Sequence, residues 1–185
     1  MILTDFFIRR SVRKLTRNSS VRPHHFCPLD KAKHILLLCE MHDLLTAEHC
    51  LQTLAQLGKT VIIVIHIPPD KYQDWKEREP FFAVRDKEHL SRWGFPSPEV
   101  SRSVTAFPAD ILIDLSNLDS YVIRYLMLQH PSTFKIGLKR PVDPDMYDFS
   151  ITFDEDNTKK QLFDVILYYL RTIQAPCPTG ESIKH

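Results

Sequence analysis

Glycine is scarce in this chain of 185 residues, with four in all, at positions 58, 94, 137 and 180. None lies in the turn after the first apolar run, where backbone amides would have to close on a pyrophosphate. That excludes a conventional phosphate or dinucleotide loop there. Cysteine is equally scarce, at Cys27, Cys39, Cys50 and Cys177, too few and too scattered for a disulfide framework. Reduced thiols and a cytoplasmic location are the expectation. No apolar run approaches the roughly 20 residues that span a bilayer; the longest runs from Val61 to Ile67. The apolar start, Ile2 to Ile8, precedes the basic cluster and has no small-residue cleavage site after it, so a secretory leader is not expected. Net charge is lacking as well: 24 Lys and Arg stand against 23 Asp and Glu.

That balance hides an asymmetry. Arg9, Arg10, Arg13, Lys14, Arg17 and Arg22 face Asp5 alone within the first 25 residues, and residues 1–30 are read as a basic arm. Its apolar and basic residues follow one another along a single helical stripe. A helix lying on a membrane keeps them on separate faces, so membrane contact is not favoured. Packing of the arm on its own domain or on a dimer mate is preferred. Nucleic-acid binding is not expected either, because the aromatic residues lie inside apolar stripes and do not interleave with the charges.

What the chain does have is a series of buried-strand patterns separated by helices. His34-Ile-Leu-Leu-Leu-Cys39 and Thr60-Val-Ile-Ile-Val-Ile-His-Ile67 are near-continuous apolar runs, as expected of strands covered on both faces. Between them Leu44, Ala47, Leu51, Leu54 and Ala55 form one helical stripe, with Asp43 placed to cap it and Gly58 to stop it. Residues 70–108 are less regular: a short polar helix over 70–79, a brief strand over 81–84 and a fixed turn over 92–98. Regularity returns with strand 111–115, helix 119–129, strand 134–138, short strand 148–152 and helix 157–173. The expectation is a single Rossmann-like three-layer α/β domain over 31–174, with a mostly parallel sheet of about five strands, strand 34–39 central, and a loose tail over 175–185.

In such a sheet, ligands bind beyond the carboxyl ends of the strands, where strand order reverses. The residues at those ends are Glu40, His42 and Asp43, then His66, then Asp114, Ser116 and Asn117, and finally Lys139 and Arg140. Asp114 is read either as a ligand or base at the switch point, or as an acid serving the local turn. No metal is expected: His42 and His49 are separated by about 10.5 Å of helical rise and cannot share an ion directly. No cofactor is expected, and Glu40 and Asp43 would repel a dinucleotide's phosphates. Ser116 lacks the flanking glycines of a nucleophile elbow. Helices 119–129 and 157–173 carry more apolar width than one sheet face needs, with Phe163 and Leu167 beside the core stripe, which points either to a homodimer through these two helices or to cover of that surface by the insert 70–108 or the arm.

Asp110-Ile-Leu-Ile-Asp-Leu-Ser116, Phe134-Lys-Ile-Gly137, Tyr147-Asp-Phe149, Arg92-Trp-Gly-Phe-Pro96 and the run from Leu162 to Ile173 together resemble a family of uncharacterised bacterial proteins of similar length. That resemblance covers nearly the whole chain and implies no activity. Ile113-Asp-Leu115 followed by Lys135-Ile-Gly137 is also similar in order to the amino-terminal half of heptosyltransferase-like glycosyltransferases. The second Rossmann-like half of that family, expected to bind the sugar nucleotide, has no counterpart among these patterns. The sequence therefore favours a non-enzymatic cytoplasmic binding or interaction module. The alternative is a small transferase-like enzyme with its site around Asp114.

Overall fold

The computed structural model describes residues 9–16, 23–117, 120–139, 146–152 and 158–172. Six strands, β1 (His34–Glu40), β2 (Thr60–Ile67), β3 (Phe81–Arg85), β4 (Ile111–Asp114), β5 (Lys135–Leu138) and β6 (Phe149–Ile151), form one sheet. Their order is β3-β2-β1-β4-β5-β6 and every pairing is parallel. The helices are α1 (9–16), α2 (Leu44–Gln56), α3 (Asp86–His89), α4 (Pro98–Ala106), α5 (Tyr121–Gln129) and α6 (Lys159–Thr172). The sheet thus has six strands among the described residues, in keeping with the about five expected, and β1 lies inside it as its pattern requires.

The alternation along β1 separates the two cores. Ile35, Leu37 and Cys39 pack on one face with Ala47, Cys50 and Leu54 of α2 and Leu162, Phe163 and Ile166 of α6. Leu36 and Leu38 pack on the other with Val100 and Val104 of α4 and Ile123, Leu126 and Met127 of α5. Burying each such aliphatic side chain is worth about 1.5–3 kcal/mol, so a strand apolar on both faces is most stable at the centre of the sheet.

The irregular stretch holds more structure than its pattern suggests. Residues 81–85 are a full edge strand, paired with β2 in the register Ile63↔Phe81 to Ile67↔Arg85. Pro98–Ala106, which was not expected as a helix, completes the crossover to β4. Ser97 caps it by accepting a hydrogen bond from Val100 N–H, and Pro98 fits the first turn, where no donor is needed. The polar helix expected over 70–79 is the shorter 3-10 segment Pro69–Asp74. Gly58 does end α2, at φ 71°, a conformation that glycine adopts without a Cβ penalty.

One further expectation is corrected. The helices expected to share a dimer surface lie on opposite sheet faces, and Phe163 and Leu167 belong to the core beneath α6. The outward apolar groups of α6 are Tyr168 and Tyr169. The described part of the basic arm packs on the body, one of the two placements preferred for it. Val12 is buried, Phe26 meets Phe134 edge-on at 5.1 Å, Leu29 lies in the core, and His25 N–H donates to the Thr133 carbonyl.

Candidate functional site at the strand carboxyl edge

Strand order reverses between β1 and β4, since β1 leads outward through β2 to β3 on one side and β4 leads through β5 to β6 on the other. The loops leaving the two central strands lead to helices on opposite faces, α2 and α5, the arrangement beyond whose strand ends ligands bind in such sheets. Glu40 of β1 is in register with His66 of β2, while Asp114 of β4 is in register with Leu38, two residues before that row.

The structure joins Glu40, His42, Asp43 and Asn117 across that reversal. Asn117 N–H donates to Glu40 Oε2 at 3.1 Å, and its side-chain Nδ2 lies 2.9 Å from His42 Nε2. The same Nε2 is 3.1 Å from Asp43 Oδ2 and 3.9 Å from Glu40 Oε2. It can serve only one neighbour at a time: unprotonated it accepts from Asn117, and protonated it donates to Asp43. Glu40 and Asp43 are largely covered while His42 is half exposed, so the imidazole forms the accessible rim.

Asp43 stands at the cap position of α2, yet its side chain makes no capping bond. Its carboxylate is instead paired with the Lys159 ammonium from the start of α6. A charge-assisted bond to a full ammonium outweighs a bond to one backbone amide. Burial nevertheless pushes the Asp43 carboxyl above its ordinary range, with Lys159 offsetting part of that rise. Among the described residues, Glu40, His42 and Asp43 each offer one ligand atom, all within 4.8 Å of one another, and could hold a metal ion. Lys159 already supplies a cation to that group. His49 is not among these three residues and faces Asp164 at 3.9 Å.

The other strand-end residues take separate places. Asp114 is 1% exposed, accepting from Ser116 N–H at 2.8 Å and from the Tyr147 hydroxyl at 2.6 Å. It serves the turn after β4 and is closed to solvent. His66 bonds Asp86 at 2.6 Å, at the β2–β3 side of the edge. Lys139 is exposed at the end of β5, and its amide donates to the Ile151 carbonyl. Arg140 lies outside the described residues. Burial pushes the thiols of Cys39 and Cys50 upward, that of Cys50 to about 12, which makes them inert packing groups. Lys159, Tyr147 and Asp86 were not singled out by sequence, because no spacing links a residue to a partner 116, 33 or 20 positions away.

Among the described residues no helix is long and apolar enough to cross a membrane. No curated protein matches the chain. The fold is similar to that of a solved structure, E. coli heptosyltransferase WaaC with ADP, at 16% identity and a TM-score of 0.52. The likeness covers 80% of this chain and 50% of that one, so the chain spans half of that protein's length. It is a likeness of fold, in keeping with the order of the Ile113–Leu115 and Lys135–Gly137 strands. The model of the family of unknown function DUF6913 matches residues 5–173, and the chain belongs to that family.

Proposed function

We propose that the chain is a binding module for a small polar ligand rich in hydroxyl or amine donors, seated over the carboxyl ends of β1 and β4. The observation that carries this reading is the meeting of Glu40, His42, Asp43 and Asn117 across the strand-order reversal. The two carboxylates and the imidazole are mostly acceptors, and they are held in place by Asn117 and Lys159. A prearranged set of acceptors favours a donor-rich ligand and limits the ordering cost of binding it. The reading places the module in a bacterial cytoplasm, in keeping with free thiols at Cys27, Cys39 and Cys50. It also keeps self-association, supported by the exposed Tyr168 and Tyr169 of α6. A monomeric mass by light scattering at micromolar concentration removes that part.

A non-catalytic role is favoured because the strand-end carboxylates are engaged: Asp114 with Ser116 and Tyr147, Asp43 with Lys159, and Asp86 with His66. The second reading, a small transferase-like enzyme, has one observation in its favour. His42 and the buried Asp43 stand 3.1 Å apart at the rim, a pair able to move a proton. In that reading the base is His42, and Asp114 acts only in the turn.

The test is calorimetric titration of the full chain with a panel of small polyols, amino sugars and sugar phosphates. Binding is expected to weaken about tenfold or more in Glu40→Gln and Asn117→Ala, as for the loss of a bond to a charged group. Unchanged affinity in both variants, or no binding across the panel, overturns the proposal. Turnover that is abolished by His42→Ala would select the enzyme.

A further inference from the structure

The turn after β4 has a feature that the acidic rim does not explain. Ser116 and Ser120 are 1% and 7% exposed, and their hydroxyls have no hydrogen-bond partner among the described residues. Buried hydroxyls are nearly always paired, so two orphans within five residues call for a reason. Ser120 is the cap residue of α5, the position from which a serine oxygen normally accepts from the first turn, and it makes no such bond. The first bond of the helix is the one donated by Arg124 N–H to the Ser120 carbonyl. The amides of Tyr121, Val122 and Ile123 precede it, at the positive end of the helix dipole.

Cationic groups gather at the same helix end. Arg124, nearly buried, lies over the Tyr121 ring at 5.0 Å, and Arg9 of α1 lies over that ring at 4.7 Å. Among the described residues the neighbouring carboxylate is Asp114, which accepts from Ser116 N–H and from the Tyr147 hydroxyl; Asp119 lies outside the described residues. The rim at Glu40 and Asp43 thus offers mainly acceptors, and the amino end of α5 offers donors.

We propose that the amino end of α5, with the hydroxyls of Ser116 and Ser120 and the charges of Arg9 and Arg124, is a subsite for the phosphoryl group of a small ligand. Two hydroxyls and the first-turn amides outnumber what the two oxygens of a carboxylate readily accept, whereas a phosphoryl group brings three terminal oxygens. The subsite lies after the fourth strand, whereas the sequence excludes a phosphate loop after the first. It adjoins the proposed donor-binding rim through Asn117 and rests on that reading only for its place in one larger site. The ligand class it adds is a phosphorylated polyol or amine.

The experiment uses the full chain and inorganic phosphate as the probe, with melting temperature read against sodium chloride of equal ionic strength and against sodium acetate. Millimolar phosphate is expected to raise the melting temperature saturably by about 3–5 °C, as for a ligand well above its dissociation constant. Ser116→Ala/Ser120→Ala, which removes only the orphan hydroxyls, is expected to melt no lower than the parent without phosphate and to lose most of the shift. Arg9→Gln, a change at an exposed side chain, is expected to weaken phosphate several-fold. No saturable shift, or an equal shift in the double serine variant, overturns the subsite. An equal shift with acetate overturns the phosphoryl assignment. Inorganic phosphate probes this subsite alone and the unphosphorylated polyols and amino sugars probe the rim alone, so the two failures are distinguishable.

Discussion

The Tyr147 hydroxyl donates a 2.6 Å hydrogen bond to the buried carboxylate of Asp114. The contact ties the segment before β6 to the end of β4, and its ring passes so close to β5 that a Cβ on Gly137 would stand 2.5 Å from it. Gly137 is therefore required by close approach, not by backbone conformation. Tyr147→Phe should destabilise the fold by about 1–3 kcal/mol, the cost of depriving a buried charged acceptor of a donor. Gly137→Ala should cost a similar amount through displacement of the ring. Urea unfolding checks both, and midpoints unchanged within error would show that the contact carries no stability.

His130 provides a pH dependence with a definite sign. Its Nε2–H donates to the Phe107 carbonyl at 3.0 Å, and Nδ1 accepts from Ser132 N–H at 3.0 Å, so the folded protein holds a neutral ring. Burial pulls its pKa down to about 4 from an ordinary 6.5. A depressed folded value means that stability is full above the unfolded pKa. It is lost as pH falls from about 6.5 towards 4, amounting to about 3 kcal/mol. His130→Gln should lower stability at neutral pH and flatten this part of the profile, as measured by urea unfolding at stepped pH. An equally steep decline in the variant would assign it elsewhere.

Lys159 is expected to control the charge of Asp43. Removing the ammonium in Lys159→Met leaves a largely buried carboxylate with burial as its dominant influence, so its pKa should rise further. Stability at neutral pH should fall by about 1–3 kcal/mol, and Lys159→Met/Asp43→Asn should recover part of the loss. Carboxyl titration by NMR and chemical unfolding together read this out. A double variant no better than the single would deny the pairing an energetic role.

A chain beginning at Leu29 tests the arm. It loses buried Val12 and the Phe26–Phe134 contact, and its melting temperature should drop by several degrees while cooperativity is kept. An unchanged melting temperature would show that these contacts add nothing.

The central sheet was legible in the sequence because β1, β2 and β4 are apolar on both faces, a pattern that only inner parallel strands carry. Helix α4 was not legible, since Val100 and Val104 are its only buried apolar side chains and nine residues give little periodicity. Within the site, Glu40, His42, Asp43 and Asn117 could be placed at strand ends from the pattern alone. Their union could not, because it depends on how the loops after β1 and β4 meet, and the engagement of Asp43 by Lys159 depends on where the last helix returns. The expected apolar surplus at Phe163 and Leu167 failed for a related reason: α6 packs on both α2 and the sheet, and two neighbours need a wider stripe than one.

The most direct measurement of the central claim is a set of amide 1H–15N correlation spectra of the full chain, titrated with the panel of polyols, amino sugars and sugar phosphates. The account predicts saturable perturbations centred on Glu40, His42, Asp43 and Asn117, and for the phosphorylated members also on Tyr121, Val122 and Ile123. Perturbations centred away from the carboxyl ends of β1 and β4, such as on the exposed Tyr168 and Tyr169, or none with any member, would contradict it.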